Sequence, residues 1–387
     1  MTGSLIDRVR ERLIAQSGPI SRAAVAAAIR AESGGVLADT DVLSSLRLLE
    51  TEMTGAGVLE PLLAAAETTD VLVTAPDEVW IDNGNGLMRS DVRFADEAAV
   101  RRLAQRLAAA AGRRLDDAQP WVDGHLGGVG AGRFGVRLHA VLPPIAAAGT
   151  CLSLRVLHAA TQDLAALTAS GAVASEAAAL LGRIIEARLA FLVSGGTGAG
   201  KTTLLAAMLG AVAPHERIIC VEDAPELAPQ HPHLVRLVAR AANVEGVGEV
   251  TLRDLVRQAL RMRPDRLIVG EVRGAEVVDL LSALNTGHAG GAGTVHANSP
   301  AEVPARLEAL GALGGLPRSA LHSQMAAAVQ VVVHVSRGTA GRHVQEIAVL
   351  GRDDAGLLRA RPVWHVERGT GEGAPILRQL VGDRGVS

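Results

Sequence analysis

Tyrosine is absent from the 387 residues, phenylalanine and tryptophan occur three times each, and aromatic side chains make up 2% of the chain. Surfaces that hold single-stranded nucleic acid need such rings for stacking, and a net charge of −3 gives no overall attraction to a polyanion. A nucleic-acid motor is therefore not the leading expectation. The two cysteines, Cys151 and Cys220, match no metal-ligand spacing and are too few for a disulfide framework. Both read as small buried apolar residues in a reducing compartment. No stretch of 18 uninterrupted apolar residues occurs, and the opening MTGSLIDRVRERLI mixes acids and bases with short apolar runs. The chain is expected to be neither secreted nor membrane-spanning.

Lysine is the most lopsided scarcity. Of 38 basic residues, one, Lys201, is lysine and the others are arginine. A GC-rich coding bias explains this, since alanine and glycine abound while tyrosine is missing and asparagine is scarce. Such a bias empties the arginines of special meaning and marks the surviving lysine as chemically constrained.

The remaining composition is that of a folded protein. Hydrophobic residues at 48% and charged residues at 20% exclude a disordered or collagen-like chain, and the length suggests more than one domain. Residues 1–66 read as a helical amino-terminal region, with Leu5, Val9 and Leu13 and later Val42, Leu46 and Leu49 at helical spacing. Residues 67–158 read as a smaller α/β domain, with strands VLV and EVWI, an NGNG turn, LMRSDVRF, a helix over 96–112 and a strand VRLHAVLPP. Residues 159–174, small and alanine-rich, read as a linker. From 175 to 387 short apolar strands alternate with helices, the pattern of a doubly wound, mainly parallel sheet, followed by antiparallel strands at EIAVLGRD and LLRARPVWHV.

The segment GGTGAGKTT follows an apolar strand and opens a helix, matching G-x-x-x-x-G-K-[ST]. Gly195, Gly196, Thr197, Gly198, Ala199 and Gly200 supply backbone N–H groups for a phosphate cradle, and the helix amino terminus adds its dipole. Lys201 places a compact ammonium between phosphate oxygens where a planar guanidinium does not fit. Thr202 offers Mg²⁺ a hydroxyl, and Thr203 completes the set of residues expected to bind the nucleotide. Such a loop needs an acid on a neighbouring strand end. Glu271, after LIVG, suits one that holds the Mg²⁺ water shell or orients the attacking water. Glu222, Asp223 and Glu226 form a second acidic cluster at the end of the strand beginning at Arg217, and at the carboxyl edge of such a sheet they should converge on the nucleotide, with Glu222 and Glu226 as catalytic candidates beside Glu271. Sequence leaves open whether Glu271 or Glu226 activates water.

His288 and His296 lie in NTGHAGGAGTVHAN. Two histidines are weak evidence for a metal, and a γ-phosphate sensor or hydrogen-bond orienter competes with a structural loop role. Thr251 and Asp254 have the spacing of a capping-box variant for a helix over 251–262. Arg253, Arg257 and Arg261 recur every four residues along it, either facing a neighbouring subunit or simply solvated. Arg263 and Arg273 bracket the strand leading to Glu271.

The ordered blocks GGTGAGKTT, VEDAPEL, NVEGVGEVTLRDLVRQALRMRPDRLIVGEVRGAE and NTGHAGGAGTVHANSP resemble the secretion ATPase superfamily of type II and type IV systems. The nearest likeness is to CpaF/TadA-type ATPases of Tad pilus assembly, with VirB11-type conjugation ATPases next. The resemblance spans about residues 60–335. It implies a RecA-like core and a homohexameric, Mg²⁺-dependent ATPase at the cytoplasmic face of the inner membrane, acting on platform proteins there. It assigns Lys201 and Thr202 to the Walker A box, Glu222, Asp223 and Glu226 to the Asp box, Glu271 to the Walker B box and His296 to the His box. It also implies that Arg137 in RLHAVLPP and Arg155 in SLR reach the nucleotide from the amino-terminal domain. The glycine-rich stretch before Arg137 leaves Arg133 as a rival for that role. Metal beyond Mg²⁺ is not expected. The rival class is a nucleotide-binding structural or regulatory hexamer without turnover, against which the retention of both acidic boxes argues.

Overall fold

The computed structural model describes residues 55–84, 86–127, 135–158, 160–243, 245–287, 289–338 and 341–384, with residues 12, 27, 28, 31 and 32 of the amino-terminal region. The expected helical region over 1–66 otherwise lies outside the described residues, as do His288 and Arg133. The chain divides into two units, Met1–His158 and Ala159–Ser387.

The first unit is built on a six-stranded antiparallel sheet: β1 (Asp70–Ala75), β2 (Glu78–Asp82), β3 (Leu87–Arg89), β4 (Trp121–Leu126), β5 (Val136–Val141) and β6 (Cys151–Val156). The order is β3-β2-β1-β6-β5-β4. Alternation drives it: in β5 Val136, Leu138 and Ala140 are buried while Arg137 and His139 are exposed. The buried set packs with a short helix α1 (Glu60–Ala64) and with α2 (Glu97–Ala110), whose Val100, Leu103, Ala104 and Leu107 join the same core. Asp96 caps α2 by accepting from the Ala99 N–H.

The second unit opens with α3 (Leu164–Ala169) and α4 (Ser175–Glu186) and continues β7 (Phe191–Ser194), α5 (Lys201–Gly210), β8 (Ile218–Glu222), β9 (Leu234–Val238), α6 (Leu252–Ala259), β10 (Arg266–Val269), α7 (Glu276–Asn285) and β11 (Ala292–Val295). Then come α8 (Val303–Leu313), α9 (Arg318–Ala328), β12 (Val331–Gly338), β13 (Gly341–Arg352), β14 (Leu358–His365), β15 (Gly369–Thr370) and α10 (Ala374–Arg384). The strands make one sheet, β15-β14-β13-β12-β7-β11-β10-β8-β9, parallel from β12 through β9 and antiparallel beyond β12. Every residue of β7, β8, β10 and β11 is buried because helices cover both faces. One apolar core gathers α4, α5 and α10; the other gathers α6, α7, α8 and α9. This is the doubly wound architecture that alternating short apolar strands and helices imply.

Several expectations are revised. The stretch 159–174, expected as a linker, contains α3, because Asp163 accepts from the Ala166 N–H as an N-cap and Leu167 anchors the turn in the core. The helix expected over 251–262 stops being α-helical at Ala259, tightens into a 3₁₀ turn and ends at Arg263 with φ +55°. Thr251 and Asp254 do form the reciprocal capping box. The arginine stripe is partly paired: Arg253 and Arg257 donate to Asp279 of α7 at 2.7 and 2.9 Å. Cys220 is fully buried, whereas Cys151 is only partly so. At the amino edge of the parallel strands, Arg266, 1% exposed, donates through Nε and Nη2 to buried Glu216 at 2.9 and 3.0 Å.

Candidate functional site

The carboxyl ends of β7, β8, β10 and β11 lie side by side, and each runs directly into a chemistry-bearing segment. Open α/β sheets concentrate binding groups at this edge, where strands hand the chain to helices whose amino termini face the same crevice.

After β7 the chain turns through Gly195–Gly200 into α5. Gly198 and Gly200 have φ of +68° and +97°, conformations that side chains resist, and Gly200 is the left-handed N-cap of α5. At Gly195 space is the constraint, since a Cβ would stand 2.4 Å from the Val335 carbonyl oxygen of β12. The loop is thus fastened to its neighbouring strand. Lys201, 8% exposed, donates to the Gly195 and Gly196 carbonyls at 3.0 and 2.8 Å. Burial pulls its ammonium below the ordinary lysine range, while the charges of Glu271 and Glu226 oppose that fall.

Glu271 follows β10 and His296 follows β11. His296 Nε2 lies 2.8 Å from Glu271 Oε1, and Nδ1 lies 3.4 Å from Lys201 Nζ. Nζ also lies 3.5 Å from Nε2, so the ammonium rests against the ring near both nitrogens while Nε2 faces the carboxylate. Burial, followed by the Lys201 charge, holds the imidazole below its usual range, which favours its neutral form. Thr202 Oγ1 lies 3.5 Å from Glu226 Oε2. Lys201, Thr202, Glu226, Glu271 and His296 therefore converge on the mouth of the loop.

Glu222 does not join them. Its side chain, 2% exposed, turns back on its own segment, where Oε1 accepts from the Glu226 and Leu227 N–H groups at 3.1 and 2.8 Å. Burial, with the nearby Glu226 carboxylate adding, raises its pKa to about 7. Asp223 pairs with Arg273, whose Nη1 lies 4.0 Å from Glu271 Oε2. Arg137 and Arg155 belong to the first unit. They are direct cross-strand partners on the exposed face of β5 and β6, Arg155 donating to Asp70 at 3.0 Å and Arg137 lying 3.8 Å from Asp123.

Two supporting residues escaped the sequence reading. His334 of β12 pairs in register with Ser194, and its Nδ1 lies 2.9 Å from the Ser194 hydroxyl at the entrance to the glycine loop. The signal was a lone polar residue inside the run VVVHV. Glu276, buried at the start of α7, accepts from the Arg273 and Gly274 N–H groups at 2.7 Å each and fixes the turn after Glu271. Its signal was a carboxylate three residues beyond Arg273, the spacing of a helix cap.

The chain is similar to known proteins over most of its length. The family model described as T2SSE, Type II/IV secretion system protein, matches residues 52–356. A Mycobacterium tuberculosis (strain H37Rv) protein bearing the name of a conjugal transfer protein is 73% identical over 350 residues, 90% of this chain and 99% of the relative. The type IV secretion system protein PtlH of Bordetella pertussis (strain Tohama I) is 30% identical over 310 residues, 72% of this chain and 88% of PtlH. The X-ray structure of the Legionella pneumophila ATPase DotB superimposes with a TM-score of 0.51 at 18% identity, covering 88% of this chain and 87% of DotB, a likeness of fold.

Proposed function

Because the chain belongs to the type II/IV secretion system protein family, we propose that it is a P-loop ATPase whose Mg²⁺-dependent turnover drives a secretion or pilus-assembly machine. The observation that carries this reading is the convergence of Lys201, His296 and Glu271 on a glycine loop at the carboxyl edge of a parallel sheet. A binding protein needs the loop and the lysine; it has no need of a carboxylate held by a neutral imidazole, the base-and-orienter arrangement of hydrolytic sites.

In this reading the backbone amides of residues 195–200 and the start of α5 hold the phosphates. Lys201 leaves the Gly195 and Gly196 carbonyls for phosphate oxygens. Glu271, oriented by His296, takes the proton of the attacking water. Glu226, beside Thr202, holds waters of the metal shell. The donor set fits Mg²⁺, which keeps several waters and needs few protein ligands: a threonine hydroxyl with two carboxylates nearby, and no cluster of three His, Cys, Asp or Glu ligands among the described residues. When bound, that ion would neutralise charge on the phosphate oxygens. Arg137 and Arg155 would add positive charge from the first unit, and their pairing with Asp123 and Asp70 keeps two adjacent guanidinium groups tolerable until then.

A homohexamer acting on inner-membrane platform proteins from the cytoplasmic face is the assembly the resemblance supports. No helix among the described residues is long and apolar enough to cross a membrane, so membrane attachment is assigned to those partners. The four blocks support a Tad-type pilus, while the names of the M. tuberculosis and B. pertussis relatives support conjugation or type IV export. A prepilin gene and two small membrane-protein genes beside this one would decide for the pilus. The enzymatic reading is tested by phosphate release from ATP in purified chain, with partners added. Turnover that survives Glu271→Ala undiminished would sink the assignment of that residue, and turnover that survives Lys201→Ala would sink the site.

A further inference from the structure

Ser194 closes β7 and is fully buried, and the phosphate loop begins at the next residue. Facing it in register on β12 is His334, 5% exposed, whose Nδ1 lies 2.9 Å from the Ser194 hydroxyl. This is the last of four parallel pairs between the two strands. The first three join apolar side chains, Val331, Val332 and Val333 facing Phe191, Leu192 and Val193, and the fourth joins two polar ones. A buried imidazole and hydroxyl cost more desolvation than the apolar pairs used elsewhere along these strands. What they add is direction, since a hydrogen bond fixes an angle that apolar contact leaves free.

Strand β12 also changes course at this point. Opposite β13, His334 pairs with Glu346 but Val335 pairs with Val344, so Gln345 is the extra residue of a bulge. The bulge falls between the residue that holds Ser194 and the residue whose carbonyl a Cβ at Gly195 would meet at 2.4 Å. Two successive residues of β12 thus grip two successive residues at the entrance to the loop. The other tie is Lys201, which donates to the Gly195 and Gly196 carbonyls. Those bonds are the ones it leaves when it turns to phosphate oxygens. Among the described residues, Ser194–His334 is then the side-chain hydrogen bond that remains at residues 194–196. Burial keeps the His334 imidazole below its ordinary range, the Glu302 charge opposing and the Lys201 charge adding, so the ring brings no second cation beside the lysine.

We propose that His334 is a positioning residue for ATP: through Ser194 it keeps the entrance of the phosphate loop against β12 once Lys201 has moved to the phosphates, and so sets ATP affinity. The proposal rests on that loop binding ATP. Its effect falls on binding more than on turnover. The loop amides meet phosphates that are held alike before and during the reaction, which is uniform binding. Glu271 and His296 follow β10 and β11, and β12 borders neither strand.

Calorimetric ATP binding, steady-state kinetics and urea unfolding of the full chain test this with three variants. Ser194→Ala cuts the bond by removing one oxygen and leaves β12 intact. The double variant Ser194→Ala with His334→Val removes both polar groups and extends the valine run, so its urea midpoint should match or exceed the parent's. Both should bind ATP about tenfold more weakly, with KM raised and kcat within about threefold of the parent's. His334→Asn, whose amide stands where Nδ1 stood, should keep most of the affinity. A double variant as stable as the parent that also binds ATP as tightly would make His334 a packing residue and overturn the proposal. So would Ser194→Ala with unchanged affinity, His334→Asn as weak as the double variant, or a kcat that falls about tenfold with KM unmoved. Failure of the underlying reading looks different: Lys201→Ala would then bind ATP as tightly as the parent.

Discussion

His296 stands between Lys201 and Glu271, 3.4 Å from the ammonium and 2.8 Å from the carboxylate. The imidazole thereby joins the cation of the phosphate loop to the acid of the adjacent strand end, and a change in one is felt by the other through a single ring. Replacing it with alanine should lower turnover at least about tenfold, roughly 1.4 kcal/mol of barrier, with a smaller loss for His296→Gln, which keeps an N–H donor. Because the Lys201 charge helps hold the ring below its ordinary pKa of 6.5, the His296 titration followed by NMR should move upward in Lys201→Met.

Lys201→Arg keeps the charge and changes the shape. The ammonium sits between two carbonyl oxygens at 3.0 and 2.8 Å in a loop held at Gly195 against the Val335 carbonyl. A planar guanidinium needs a wider fork, so turnover should fall by more than about tenfold. A change within about twofold, below ~0.4 kcal/mol, would contradict the role given to Lys201.

Glu222 gives stability a pH dependence. Its carboxyl ionises near pH 7 in the folded chain and near 4.5 when unfolded, so the folded state binds the proton more tightly. The stabilisation from that protonated form is complete below pH 4.5 and is lost as pH rises through 7, a fall of roughly 3 kcal/mol. Glu222→Gln retains the oxygen that accepts from Glu226 and Leu227 and has no proton to lose. Urea midpoints between pH 5 and 8 should show a flatter slope for the variant, which should be the more stable protein at the alkaline end.

The Arg266–Glu216 pair tests burial at the opposite edge of the sheet. Glu216→Ala strands a guanidinium that is 1% exposed, and the cost should be about 3–5 kcal/mol in denaturant unfolding. The double change Arg266→Met with Glu216→Leu should recover most of it, since apolar groups of similar volume need no partner.

The core of the second unit was legible because its signals are short-range. Gly195 through Thr202 announce themselves by spacing, and Glu271 by following an apolar run. β4 was not legible for a tertiary reason: Gly124 in its middle made WVDGHL look like part of a glycine-rich loop. Glycine is needed there because a Cβ would lie 2.8 Å from the Ala111 Cβ at the end of α2. α3 was hidden by the small residues around it, its only mark being Asp163. Glu222 looked like its neighbours Asp223 and Glu226, and only the fold separates them: Glu222 accepts from the Glu226 and Leu227 N–H groups, Asp223 pairs with Arg273 and Glu226 faces Thr202.

The single lysine has an analytical consequence. An amine-selective acylating reagent finds one side-chain target in this chain, and that target is the buried ammonium at the throat of the phosphate loop. Any ligand lying across the loop shields it, so the mass of one residue reports whether the loop is occupied, in a mixture and without an introduced probe.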